Sequence, residues 1–360
     1  MTAIIFIIVL SVIVFVHELG HFVMAKRAGM KVDEFGFGFP PRIFGKKIKD
    51  TIYSINWIPF GGFVKIQGEN ETETRAPGTF GGATFWQKFS VIVAGVLMNV
   101  VLAFIAFSIS NIIGYRTPVD DKLSGPNFQV QILQVSQGSP ADQAGLKLFD
   151  EIIGFQSEDA MIPAESVIKT QEYIRKHRGK EIELIIRNFK SSNSKNVIIS
   201  PRQTPPECEG ALGVVLSKTD FVSYSPGRAV IEGAKTTGSG FSFITSSFGS
   251  IIKSLVSHGA PPPCTQFSGP VGIAIATGEQ ARLGFAYLLQ FVAFISLNLA
   301  VINLVPFPAL DGGRLLFLII EKLKGSPIPK RFEQAVNSIG FVLLLVLMVY
   351  ITVKDVSKFF

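Results

Sequence analysis

The sequence predicts an α-helical polytopic membrane protein with four transmembrane helices, a membrane-associated β-hairpin region on the cytoplasmic side and an inserted α+β domain. Three observations predict it. The 360 residues are 48% hydrophobic and only 17% charged, with a mean hydropathy of +0.39, whereas soluble domains carry about a quarter charged residues. The apolar residues gather into four runs, each able to approach the roughly 20 helical residues that cross a hydrocarbon core of about 30 Å. Between the second and third runs lies a long segment in which strand-like alternation, short helical patterns and turn signals follow one another.

The four runs cover about residues 3–25, 89–113, 284–310 and 339–353. The first begins Met1-Thr2-Ala3-Ile4 with no basic stretch, and its apolar pattern continues through His17, Glu18 and His21, so it is expected to be a retained span and not a cleaved signal peptide. Lys26, Arg27, Lys31, Arg42, Lys46, Lys47, Lys49, Lys65, Arg75 and Lys88 follow the first run, and Arg314, Lys322, Lys324, Lys330 and Arg331 follow the third. Such bias marks cytoplasmic loops. Both termini and the long segment 114–283 are then expected outside. The net charge of +7 reflects this orientation; no basic stripe with interleaved aromatics points to nucleic acid.

The expected organisation is a first helix over 1–25, a cytoplasmic-side loop with a β-hairpin over 26–88, a second helix over 89–114, an external α+β domain over 115–204, an external membrane-associated segment over 205–283, a third helix over 284–311, a cytoplasmic loop over 312–338 and a fourth helix over 339–354. Within the first loop, Thr51–Trp57 alternates and is followed by Pro59-Phe60-Gly61-Gly62-Phe63-Val64-Lys65-Ile66, which reads as strand, turn, strand; on pattern alone it could equally be a small surface hairpin. Residues 228–256 carry small, Ser/Thr and apolar residues at helical spacing, expected along the outer membrane face, and Pro261-Pro262-Pro263 ends that pattern. Cys208 and Cys264, the only cysteines, fall in the external segment, where oxidation is permitted; whether they pair is left open.

Residues 130–135 read as a strand, Ser139-Pro140-Ala141 opens a short helix, and 150–155 reads as a further strand. Residues 166–177 form a helical pattern, and 181–188 with 196–200 a final hairpin. This domain resembles a PDZ domain, with Phe149 standing where that family usually has a glycine before Asp150.

The sharpest motif is His17-Glu18-Leu19-Gly20-His21. Histidines four apart share one helix face, so both can reach one zinc ion, and the adjacent glutamate can take a proton from a metal-bound water. Three such groups inside an apolar run are costly unless they face a cavity or a partner. A catalytic zinc takes three protein ligands and leaves one position open, so a further ligand is expected from a second run. Asp311 is the candidate, at the end of the third run in Asn303-Leu304-Val305-Pro306-Phe307-Pro308-Ala309-Leu310-Asp311-Gly312-Gly313. With both spans running inward, the histidines and Asp311 reach the same depth. Pro306 and Pro308 break the helix there, and irregular backbone is tolerated at that depth when it lines a cavity. Asn303 either offers its amide to a substrate backbone or makes a hydrogen bond between helices. His177 and His258 are isolated and flanked by polar residues, with no expected role.

These motifs, with Gly95 and Asn99 in the second run, Ser268-Gly269-Pro270-Val271-Gly272 before the third and the Pro59–Lys65 stretch, resemble the site-2 protease family of intramembrane zinc metalloproteases, in particular bacterial members of the sigma-E-regulator kind. The resemblance covers nearly the whole chain. It implies zinc held by His17, His21 and Asp311, with Glu18 as general base, and a β-hairpin whose Gly61 and Gly62 tuck toward the membrane to hold substrate. It implies single-pass membrane proteins as substrates, such as anti-sigma factors or signal-peptide remnants, and a location in the bacterial inner membrane. Proteobacterial members of the family often carry two external PDZ domains in tandem; this chain is expected to have room for one. Two other readings remain at this point: a membrane-embedded H-E-x-x-H peptidase acting on cytosolic tails, and a scaffold that captures partner termini without chemistry.

Overall fold

The structure is a computed structural model that describes residues 1–69, 76–123, 125, 127–157, 160–189, 193–257 and 269–359. Arg75, His258, the proline run 261–263, Cys264 and Ser268 lie outside the described residues. In chain order the elements are α1 (Thr2–Arg27), β1 (Val32–Ile48), β2 (Thr51–Ile66), α2 (Phe85–Ile113), β3 (Tyr115–Pro118), β4 (Gln129–Val135), α3 (Pro140–Gln143), β5 (Glu151–Gln156), β6 (Met161–Pro163), α4 (Val167–Lys176), β7 (Ile182–Arg187), β8 (Ser194–Ile199), β9 (Val214–Val222), α5 (Pro226–Val256), α6 (Pro270–Leu283), α7 (Phe285–Leu304), α8 (Asp311–Lys324) and α9 (Lys330–Phe359). They divide into two units, one made by the long helices with β1 and β2, the other by β3–β9 with α3 and α4.

In the helical unit, α1, α2, α7 and α9 are long and apolar enough to cross a bilayer. At 1.5 Å per residue, the 26 residues of α1 extend about 39 Å, enough for the hydrocarbon core and one interface. The chain is a multi-pass membrane protein. Small residues let its helices approach: Ala103 and Ala106 of α2 and Ala293 of α7 share a buried cluster with Phe107, Leu297 and Val301. Polar groups join the same helices, since Ser296 Oγ donates to the Asn99 carbonyl at 2.8 Å and Gln290 Nε2 to Ser110 Oγ at 2.9 Å. Such bonds are satisfied without water, as the membrane interior requires.

Several elements differ from their sequence-based expectation. Residues 51–57 and 59–66 do not pair with each other. They are two parts of one bent strand, β2, and both pair with β1: residues 32–37 pair with 62–66 on one side, residues 34–37 lie beside 52–55 on the other, and 42–48 fold back on 51–56. The pattern hid β1 because Gly36, Gly38, Pro40, Pro41 and Gly45 interrupt its alternation. The segment expected along the membrane face is α5, and it packs against two spans. Ile244 joins the α2–α7 cluster, and Asn111 Nδ2 of α2 donates to the Ala229 carbonyl at 3.4 Å. Its hydroxyls bond back to its own carbonyls, Thr236 to Glu232 at 2.9 Å, Thr237 to Gly233 at 2.8 Å and Thr245 to Phe241 at 2.8 Å, which satisfies them without solvent. The stretch expected as a loop after the third span contains α8, an amphipathic helix, and the start of α9.

In the second unit the strands form one antiparallel sheet in the order β3-β9-β4-β5-β7-β8, with β6 paired to β5. Strand β9 lies beyond Pro205-Pro206, so the sheet extends past that expected boundary; its partners β3 and β4 are far away in sequence. The core gathers Ile132, Leu146, Ile152, Phe155, Ile174, Leu184 and Leu212. Ser139 caps α3 by accepting from Asp142 N at 3.2 Å, and Ser166 caps α4 by accepting from Lys169 N at 3.2 Å. Cys208 is in a disulfide.

Candidate metal centre

Four residues apart on α1, His17 and His21 bring their Nε2 atoms to 3.1 Å, with the rings edge to face. Opposite them, α7 stops at Leu304 because Pro306 and Pro308 cannot continue its hydrogen-bond ladder. The chain then turns through Ala309, at φ 71°, whose N–H donates to Asn337 Oδ1 of α9 at 3.1 Å. Helix α8 begins at Asp311, not at the end of a continuous third span. Gly312 makes this reversal feasible, since a Cβ there would lie 2.1 Å from the Val305 carbonyl oxygen.

The turn brings Asp311 Oδ2 to 3.0 Å from His17 Nε2 and 3.3 Å from His21 Nε2. The three donors lie within 4.8 Å of one another. Among the described residues, buried Asp311 Oδ2 faces no polar partner except the two imidazole nitrogens, and three such donor atoms packed together away from water are costly unless another group takes up their lone pairs. Ligands about 2.0–2.1 Å from a tetrahedral zinc stand about 3.3 Å apart, close to the observed spacings, and two imidazoles with one carboxylate are a zinc donor set. The site fits the metal.

Helix α2 supplies the surroundings. His21 Nδ1 donates to the Val91 carbonyl at 2.8 Å, Asn99 Nδ2 lies 3.3 Å from His17 Nδ1, and between them Gly95 leaves room for both rings. The sequence marks Gly95 and Asn99 as motif residues without a task, although an amide inside an apolar span is itself a signal of use.

Glu18 follows His17 on α1, half-buried, and its carboxylate has no hydrogen-bond or ion-pair partner among the described residues. Asn303, one residue before the end of α7, is half-buried, and none of the described residues hydrogen-bonds its amide. Gly61 N donates to Ser11 Oγ of α1 at 3.3 Å, Ser11 Oγ donates to the Pro59 carbonyl at 2.5 Å, and Gly62 rests against Phe15. The structure thus brings His17, His21 and Asp311 together and seats the Gly61-Gly62 bend on α1 about one to two turns before His17. Beside α8, Arg314 pairs with Glu69, and Lys330 Nζ donates to the Glu69 carbonyl at 3.4 Å.

A multi-pass membrane chain in which two imidazoles and a carboxylate converge at one buried point, with a glutamate next to the first imidazole in sequence, has the make-up of a membrane-embedded metalloprotease. Residues 5–347 match peptidase family M50, and the chain belongs to that family. A candidate zinc metalloprotease of Clostridium acetobutylicum is 33% identical over 97% of this chain and 96% of its own length. The zinc metalloprotease RasP of Geobacillus kaustophilus is 30% identical over 99% of this chain and 97% of its own, and the regulator of sigma-W protease RasP of Bacillus subtilis is 28% identical over 100% and 99%. The chain is a zinc metalloprotease of the site-2 type, and zinc is its metal.

Proposed function

We propose that the chain hydrolyses a peptide bond within or beside the transmembrane segment of single-pass membrane proteins, with zinc held by His17, His21 and Asp311 and with Glu18 as general base. The convergence of three buried donor atoms from α1 and α8 carries this reading. Bound there, zinc supplies a water whose pKa is lowered toward about 7 and polarises the scissile carbonyl. Glu18 accepts the proton of the attacking water and passes it to the leaving amine nitrogen, so water adds across the broken C–N bond. The unpartnered state of its carboxylate supports that role.

A substrate helix hides its carbonyls in its own hydrogen bonds and has to unwind before attack. Strand β2 near Gly61 and Gly62, held to α1 through Ser11, is the proposed support for an unwound substrate by strand addition, and Asn303, whose amide has no partner among the described residues, a proposed contact to the substrate backbone. Exposed Phe39, Phe44, Trp57 and Phe60 support a membrane-associated position for β1 and β2. The basic residues after α1 and α7 support cytoplasmic loops there, hence extracytoplasmic termini, in the inner membrane of a bacterium. A groove of about 380 Å³ between α4 and β9, lined by Ile168, Ile174, Leu212, Val214 and Leu216, supports reading the second unit as a PDZ-like peptide-binding domain. The name of the Bacillus subtilis relative, a regulator of sigma-W, supports a membrane-bound regulatory protein such as an anti-sigma factor as substrate.

Incubating the purified protein in detergent with a panel of single-pass model substrates, with and without a zinc chelator, tests the proposal. Cleavage inside the membrane segment that stops with chelator and returns with zinc is expected. Cleavage confined to soluble tails would overturn it.

A further inference from the structure

The two histidines differ in what holds their outer nitrogens. His21 Nδ1 faces the Val91 carbonyl, which can only accept, so the proton of a neutral His21 sits on Nδ1 and its Nε2 lone pair is free for metal. The backbone fixes that tautomer. His17 Nδ1 faces the side-chain amide of Asn99 at 3.3 Å, and an amide can present either a donor or an acceptor. In the structure Nδ2 faces the ring, while Oδ1 is buried with no hydrogen-bond partner. With Nδ2 donating, Nδ1 carries the lone pair and the proton moves to Nε2, where it would block coordination.

We propose that Asn99 is a positioning residue for the metal: the amide turns over by half a rotation about its terminal bond, presents Oδ1 to His17 Nδ1–H, and so holds the Nε2 lone pair of His17 toward zinc. This rests on the reading of His17 as a zinc ligand. The half-turn exchanges the two ends of the amide in nearly the same volume, so the close contact persists. The residue has little other freedom. Asn99 is fully buried on a helix whose backbone is tied to α7 through Ser296, and Gly95, one turn earlier, keeps the rings close to α2. A buried amide in an apolar span is costly unless it is used. Outer partners of ligating histidines set tautomer and ring orientation, and losing one weakens metal binding by about 10- to 100-fold.

The test measures zinc affinity by competition with a chromophoric chelator, on full-length protein in detergent, for wild type, Asn99→Leu, Asn99→Asp and His17→Ala, with monodispersity checked by gel filtration. Asn99→Leu keeps the volume and removes the acceptor; it is expected to bind zinc about 10- to 100-fold more weakly. Asn99→Asp offers carboxyl oxygens that accept from His17 Nδ1–H whether or not the group is ionised, and is expected to stay within a few-fold of wild type. Wild-type affinity in Asn99→Leu overturns the proposal, as does equal weakening in both Asn99 variants. If Asn99→Leu does not fold, Asn99→Asp decides alone: retained zinc supports an acceptor at this position, and lost zinc overturns it. His17→Ala separates the two levels of inference, because unchanged affinity in that variant removes the underlying ligand assignment whatever the Asn99 variants do.

Discussion

Gly95 lies directly against the His21 ring: a Cβ placed on it would come within 2.5 Å of Nε2 and 2.6 Å of Cε1, and within 2.7 Å of His17 Cε1. These rings have little room to retreat, since His21 is tied to the Val91 carbonyl and His17 contacts Asn99. Gly95→Ala is therefore expected to lower zinc affinity by about 10- to 100-fold, with cleavage falling in step. Metal analysis after gel filtration, paired with a cleavage assay, checks this; a variant with normal zinc and normal activity would show that α2 can move away.

Asp311 enters the site from a turn whose carbonyls press on Gly312. Asp311→Asn keeps the shape of the side chain and removes its negative charge, so zinc occupancy is expected to drop sharply while the protein stays folded. Gly312→Ala is expected to act in the same direction by displacing Asp311, because the added methyl meets backbone and not a flexible side chain. Zinc content of both variants, read against their elution profiles, decides the matter.

Glu18→Gln should separate binding from chemistry. The amide occupies the same space but cannot accept the proton of the attacking water, so zinc content should be unchanged and turnover should fall by about 10²–10⁴-fold. Activity close to wild type would assign the base elsewhere. The same variant is expected to retain uncleaved substrate, which co-purification in detergent would reveal.

The groove between α4 and β9 gives a prediction about capture. Leu212 is almost fully buried at its base, so the less disruptive change is at the rim, where Ile168 is exposed. Ile168→Glu is expected to weaken binding of extended peptides to the second unit while leaving zinc content unchanged. Fluorescence anisotropy with a peptide library measures the first quantity and metal analysis the second; unaltered peptide binding would remove the groove from substrate capture.

Orientation is checked by labelling. Single cysteines at Lys47 and at Asn188 are expected to react with a membrane-impermeant thiol reagent from opposite faces, Asn188 from outside in intact cells and Lys47 only after lysis. The same pattern at both positions would refute the assignment of cytoplasmic loops.

Hydropathy and charge determined the membrane class and four spanning runs, because a bilayer imposes length and polarity on each segment separately. The spacing of His17, Glu18 and His21 was legible for a similar reason: a helix places residues four apart on one face without help from the rest of the chain. Asp311 could be named because it stands beside helix-breaking prolines at the end of an apolar run.

What needed the fold was everything set by residues distant in sequence. Strand β1 was obscured by its glycines and prolines and becomes a strand by pairing with two parts of β2. Strand β9 joined a sheet whose other members lie before the proline boundary. That helix α5 packs on α2 and α7, through Ile244 and the Ala229 carbonyl, was likewise not readable from its own pattern. The sequence by itself singled out the three side chains whose donor atoms converge, His17, His21 and Asp311. Only the tertiary structure decided how they are held: the Val91 carbonyl on one imidazole, the Asn99 amide on the other, and Gly95 between them come from a helix about seventy residues further along the chain, and hydrogen-bond partners across that separation are set by packing that no local pattern records.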